Sequence, residues 1–356
     1  MLYYDATNSL RAKTKSGLQR VAQRLRASLS QQMPLEPVVW SNRQVGFLGA
    51  ESKQRISFGA GDCLLVPDLF SEEDRVGFGD FVSGCSAFTV AIFHDAIPLK
   101  FPEFTWPHSV RKHPRYMKDL ARFDRVLAVS SQSRDELVGY WQWTGLADMP
   151  KAEVVPSGAD IDADRPRNRT PRTNVGRQIT QIGILEPRKN QVVSLAAARL
   201  LKAQGVDFEL GFIGRVNPHY GKPIQQEIKQ TAKAGVPVRY HGRLSDAEMA
   251  ELISATRLTL LPSRAEGNGL PVLESLWQGL PVICSRLPVA VDWATGDAVR
   301  IVDPMTPDAL AEAMREWLED DASYQKAVQA ACAMDLPTWE ESATAIKAVV
   351  ECGIAE

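Results

Sequence analysis

The run Arg257-Leu258-Thr259-Leu260-Leu261-Pro262-Ser263-Arg264-Ala265-Glu266-Gly267-Asn268-Gly269-Leu270-Pro271-Val272-Leu273-Glu274 admits few local structures. Its first part reads as a buried strand that ends at Pro262, because the residue before a proline is pushed away from helix and the apolar run is short. Pro271 suits the first position of a helix, and a Gly-Asn-Gly turn precedes it. The expected order is therefore strand, open loop, helix. Glu266 falls on the loop and Glu274 within the first helical turns. The unpaired N–H groups of that helix start make a natural anion site beyond the strand end. Two carboxylates sharing the space with an anion-attracting helix end suggest a ligand that carries both hydroxyls and phosphate, as a sugar nucleotide does.

The rest of the chain repeats this alternation. Residues 2–6 suggest a first strand, and residues 8–17 a polar, basic loop in which Ser16 caps the helix that follows. That helix, from Gly17 to about Ser30, carries Leu18, Val21, Ala22, Leu25 and Leu29 on one face. Strands are expected at 38–40, 63–66, 87–93 and 125–129, with a polar, Gly-containing stretch, read as a loop, between the first two. The polar run 160–177 reads as a linker. A second cycle then starts, with strands at 178–184, 208–215, 236–240, 280–283 and 298–302 and helices at 191–204, 307–318, 321–332 and 339–350. Ser245 and Glu248 form the pattern of a capping box. The 356 residues suffice for two domains of ordinary size. The expected fold class is α/β, with domains over 1–165 and 166–336 and a terminal helix at 337–356.

Composition narrows the function. The chain is 44% hydrophobic and 24% charged, with a net charge of −2, which argues against a nucleic-acid binder. Five cysteines, Cys63, Cys85, Cys284, Cys332 and Cys352, are scattered without a C-x-x-C pair, the usage of a reducing, cytoplasmic setting. No apolar stretch reaches membrane-spanning length, and the first residues lack a signal-peptide pattern. Two basic runs stand out. One is acid-free from Thr7 to Leu35 and holds Arg11, Lys13, Lys15, Arg20, Arg24 and Arg26. The other holds Arg111, Lys112, Arg115, Lys118, Arg122 and Arg125. Each is either a solvated face or part of a surface resting on anionic lipid.

Candidate site residues lie at expected strand ends, where open parallel sheets gather their ligands. Gly17 follows Lys13, Lys15 and Ser16; this loop either accepts phosphate oxygens or is an ordinary turn with solvated lysines. His94 and Asp95 end the apolar strand at 87–93. Arg188 and Lys189 end the strand that contains Gly183, and a guanidinium fork beside an ammonium suits a diphosphate. Asp160-x-Asp162 and Asp162-x-Asp164 formally satisfy a D-x-D metal pattern, but they fall in the linker and are read as linker acids.

The segment Glu266-Gly-Asn-Gly-Leu-Pro-Val-Leu-Glu274 resembles the E-x7-E motif of the retaining family-4 glycosyltransferases of GT-B fold, with Asn268 where an aromatic residue is commoner. Gly183 and Pro187-Arg188-Lys189-Asn190 resemble the family's G-x-x-x-P-R-K-N, and His94-Asp95-x-x-Pro98 its H-D-x-x-P. The resemblance implies two Rossmann-like domains facing each other across a cleft. It implies transfer of a hexose from a nucleotide diphosphate sugar, with the leaving phosphate taking the acceptor proton and no cofactor or metal required. Glu266 would hold the sugar and stabilise positive charge on its ring, with His94 and Asp95 near the reacting centre. Glu274 would grip the ribose. Arg188 and Lys189 would bind the diphosphate with backbone donors at Gly17, Asn268, Gly269 and Leu270. The H-D-x-x-P segment points to a mannose-type donor and a glycan or lipid-linked acceptor in cell-surface polysaccharide or lipopolysaccharide assembly. Two other readings are a nucleotide-sugar 2-epimerase of the same fold and a non-catalytic sugar-nucleotide-binding protein.

Overall fold

The computed structural model describes residues 1–11, 17–161, 167, 169–172, 176–294 and 296–355. The chain divides into two compact units, Met1–Gly158 with Pro337–Glu356, and Ala159–Leu336.

The first unit opens on β1 (Leu2–Asp5), whose Leu2 and Tyr4 are buried. The residues after it, expected as loop, instead begin with a short helix, α1 (Thr7–Arg11). One local and one distant contact hold it: Asp5 accepts the Thr7 N–H at 2.9 Å, and the Asn8 amide is anchored on the Leu69 carbonyl at 2.8 Å. Lys13, Lys15 and Ser16 lie outside the described residues, as do Asp162 and Asp164. Next comes α2 (Gly17–Gln32), which buries Val21, Ala22, Leu25 and Leu29 at the expected helical spacing. The expected strand at 38–40 is β2 (Leu35–Ser41), and it pairs antiparallel with β3 (Gly46–Gly49), which lies in the stretch expected as a loop. There follow β4 (Cys63–Val66), α3 (Phe78–Ser83), β5 (Phe88–Phe93), α4 (Ile97–Lys100), α5 (Pro107–Asp119), β6 (Arg125–Ala128), α6 (Ser131–Trp143) and β7 (Lys151–Val154). The sheet order is β3-β2-β1-β4-β5-β6-β7, parallel except for β3. Its core on one face is aromatic. Trp40 meets Phe47, Phe78 and Phe81 edge-on, with ring centroids 5.1–5.3 Å apart.

The second unit contains β8 (Gln178–Ile182), α7 (Gln191–Ala203), β9 (Glu209–Ile213), α8 (Gly221–Lys233), β10 (Val238–Gly242), α9 (Asp246–Ala255) and β11 (Thr256–Leu261). It continues with α10 (Leu270–Trp277), β12 (Val282–Ser285), α11 (Pro288–Val291), β13 (Val299–Val302), α12 (Pro307–Glu319) and α13 (Asp321–Ala333). The capping box at Ser245 and Glu248 is present. All six strands are parallel in the order β10-β9-β8-β11-β12-β13. The order reverses between β8 and β11, and the crevice at such a reversal is where doubly wound sheets bind ligands. All six residues of β11 are buried, as a strand covered on both faces requires. The exits of β8 and β9 run so close that a Cβ on Gly214 (φ +142°) would lie 2.1 Å from the Gly183 carbonyl oxygen.

The chain ends with α14 (Trp339–Ala355), which belongs to the first unit. It buries Trp339, Ala343, Ile346 and Val350. The Ser342 hydroxyl donates to the Pro156 carbonyl at 2.7 Å, and Gln32 of α2 donates to the Glu340 carbonyl at 2.9 Å.

Candidate functional site

In the second unit the exits of β8 and β11 flank the reversal, and both carry charge. After β8 the backbone passes Gly183 at φ +158°, a position that favours glycine. A Cβ there would press on the Lys189 side chain at 3.3 Å. A tight turn, Pro187–Lys189, then leads into α7 through Asn190 in the left-handed conformation, which asparagine tolerates. Gln181 donates to the Lys189 carbonyl at 2.8 Å and Gln191 to the Ile184 carbonyl at 2.9 Å, so the turn is tied at both ends.

After β11 the loop returns to this turn. The Arg264 N–H donates to the Arg188 carbonyl at 2.8 Å. The Lys189 ammonium donates to Glu266 Oε1 at 2.5 Å and Arg188 Nη1 to Glu266 Oε2 at 3.0 Å. Arg188 Nη1 also donates to the Ala265 carbonyl at 2.7 Å. Its other edge meets Glu186 Oε1, from Nε at 3.0 Å and from Nη2 at 2.8 Å. Asn217 donates to Glu186 Oε2 at 3.0 Å. Glu266 is 7% exposed and Lys189 equally so. Burial by itself would push the Glu266 carboxyl up, but the Lys189 and Arg188 charges beside it hold it down at about 2. It is an anion throughout the neutral range.

The helix expected after the loop is α10. Gly269 is its cap, at φ +68°, and Val289 would lie 3.2 Å from a Cβ placed there. Leu270 is the first helical residue and Pro271 the second, one place later than expected. Because α10 begins at the carboxyl end of β11, its first N–H groups are on the edge that carries Arg188 and Lys189. Asn268 is half-buried in the loop, and Glu274 is half-buried in the second turn of α10.

In the first unit His94 is buried at the exit of β5. Its Nε2 lies 2.7 Å from the Pro67 carbonyl. A carbonyl only accepts, so Nε2 carries the proton and Nδ1 keeps its lone pair. Burial lowers the His94 pKa and holds the ring neutral. The half-buried Asp95 accepts the Ile97 N–H at 3.0 Å just ahead of α4, and the buried His113 lies 3.0 Å from its carbonyl. Gly17 begins α2 and is exposed, and a Cβ there would meet nothing within 4 Å. The first unit's own reversal lies between β1 and β4. There Asp5 pairs with the buried Arg75. Beside them burial, reinforced by the Asp5 charge, pushes Asp68 up to about 7.

Sequence reasoning did not single out Glu186, Asn217, Gln181, Asp68 or Arg75. Glu186 stands between Gly183 and Pro187 at the exit of β8, and its place next to Pro187-Arg188 was the available signal. Asn217 and Arg75 act through partners distant in sequence, Glu186 and Asp5. The second basic run is largely neutralised. Arg111 and Lys112 pair with Glu73, Lys112 also with Asp74, Arg115 and Arg122 with Asp119, and Arg125 with Glu153. Among the described residues no helix is long and apolar enough to cross a membrane.

Comparison with known proteins bears on this site. The model of the family described as "Glycosyl transferases group 1" matches residues 162–334. The serotype-specific mannosyltransferase WbdA of Escherichia coli is 26% identical over 84% of this chain, and the match spans only 38% of that relative's length. The GDP-mannose-dependent alpha-(1-6)-phosphatidylinositol dimannoside mannosyltransferase of Mycobacterium tuberculosis is 24% identical, over 80% of this chain and 74% of its own. Among solved structures, the sucrose-phosphate synthase of Thermosynechococcus elongatus superposes with a TM-score of 0.71 at 14% identity. Anabaena HepE in complex with UDP and glucose gives 0.70 at 15% identity, and each covers 99% of both chains. These likenesses establish the fold. The two parallel-sheet units are those of the GT-B fold, and residues 162–334, within the second unit, match the glycosyl transferases group 1 family.

Proposed function

We propose that this protein moves a hexose, of the mannose type, from a nucleoside diphosphate sugar to a glycan or lipid-linked acceptor in cell-surface polysaccharide or lipopolysaccharide assembly, with retention of configuration. The observation that carries the reading is the meeting of Lys189, Arg188 and Glu266 at the sheet reversal, beside the start of α10. Cleavage of a sugar–diphosphate bond builds negative charge on the phosphate and positive charge on the ring carbon. Two cations and a helix start answer the first. A carboxylate that stays ionised answers the second. Glu274, further along the same helix, takes the ribose hydroxyls, and His94 offers Nδ1 as an acceptor for a sugar hydroxyl. The mannosyltransferase names of the relatives support the donor sugar. A cytoplasmic enzyme serving a lipid-linked acceptor would rest on anionic membrane through basic residues of the first unit, and vesicle binding that falls with salt tests this.

Incubation with labelled GDP-mannose and UDP-glucose tests the proposal. The expected result is release of the nucleoside diphosphate with retained sugar configuration, undiminished by EDTA because cationic side chains take the place of an ion. Strict dependence on a divalent cation would remove the metal-independent mechanism. Binding without turnover would mark a non-catalytic protein, and a free epimerised sugar would mark an epimerase.

A further inference from the structure

We infer that Glu186, held by Asn217, is a positioning residue that sets which edge of Arg188 meets the donor diphosphate; the inference rests on the transferase reading above. Glu186 is 8% exposed. Its Oε1 takes both Nε and Nη2 of Arg188, and its Oε2 takes the Asn217 amide. Asn217 is fixed in turn, because its Oδ1 accepts the His219 N–H at 2.9 Å and its own N–H donates to the Leu185 carbonyl at 3.2 Å. One edge of the guanidinium is thus committed, and Nη1 is the nitrogen that meets the β11 loop, at the Ala265 carbonyl and Glu266.

Nη1 and the Lys189 ammonium are held by the two oxygens of one carboxylate, Glu266. A phosphate presents two oxygens at a comparable spacing. Donor binding is then an exchange, in which phosphate oxygens replace those of Glu266 and the carboxylate turns to the sugar. Net charge does not drive the exchange, because the formal charges of Glu186, Arg188, Lys189 and Glu266 cancel. Its selectivity comes from where Nη1 and the ammonium are fixed. Without Glu186 the arginine is free to reorient, and the pair of donors is lost.

The sign of one measurement separates positioning from simple neutralisation. Glu186→Gln removes a negative charge beside a phosphate site. If Glu186 only neutralised Arg188, GDP and UDP would bind the variant more tightly. Positioning requires the opposite, roughly tenfold weaker binding for loss of a charge-assisted contact, and a raised donor KM in proportion. Asn217→Ala keeps every charge and should weaken nucleotide binding several-fold by loosening Glu186. Calorimetric titration of GDP and UDP into the wild type and both variants reads this, with thermal melts checking the fold. Unchanged or tighter binding in folded Glu186→Gln overturns the inference and leaves the transferase reading intact. If that variant does not fold, unchanged binding in Asn217→Ala overturns it. A wild type that binds neither nucleotide overturns both readings together.

Discussion

Glu266 and Glu274 carry the same functional group on one loop and its helix, and the structure gives them different neighbours. Glu266 is buried between Lys189 and Arg188, whereas Glu274 is half-buried in the second turn of α10. If Glu266 answers charge that appears only as the sugar bond breaks, Glu266→Gln should chiefly lower kcat. If Glu274 holds ribose before and during reaction, Glu274→Gln should chiefly raise the donor KM. Steady-state kinetics at saturating acceptor distinguish them, and a Glu266→Gln variant altered only in KM would contradict the assignment. Glu266 also predicts an acid transition. Its folded pKa of about 2 lies below the ordinary 4.5, so its stabilisation is complete above pH 4.5 and is lost as pH falls toward 2. The loss is on the order of 3 kcal/mol. Urea unfolding of the wild type should steepen over that interval, and Glu266→Gln should lack the steepening.

At the scale of elements, the loop into α10 depends on one glycine. Gly269 combines a left-handed backbone with a close neighbour, Val289. Gly269→Ala should cost roughly 1–2 kcal/mol for the backbone alone. It should also weaken nucleotide binding, since the start of α10 shifts; a melt and a GDP titration unchanged from wild type would contradict this. That strand–loop–helix unit was readable because its signals are local: a buried run stopped by Pro262, two glycines, and a proline at the helix start. The capping box at Ser245 was readable for the same reason. α5 was not. Pro114 sits inside it, and a proline in a helix interior normally argues for a break. The helix continues because His113, Tyr116 and Met117 are buried along it and the Tyr140 hydroxyl donates to the Pro114 carbonyl at 2.9 Å. Neither contact is visible in the local pattern. β3 was missed because a short edge strand inside a polar stretch takes its identity from β2. The tether of Arg188 was missed because Asn217 stands on the exit of a different strand.

At the scale of the whole molecule, the first unit is made from both ends of the described chain, and the second is inserted as residues 159–336. α14 buries Trp339, Ile346 and Val350, and Thr344 and Glu340 meet Gln32 of α2. Deleting residues 337–356 should therefore lower the melting temperature of the first unit and expose α2, while the second unit keeps its own transition. Calorimetry showing both units unchanged would deny α14 its structural role. The insertion also sets an order of events during synthesis. The second unit has all of its sequence before α14 leaves the ribosome. At about 5–20 residues per second, the seven-stranded sheet waits roughly 10–35 s for the helix that completes its unit. During that interval the surface destined for Trp339, Ile346 and Val350 is open on the nascent chain, so the early half of this protein is the half most in need of a chaperone.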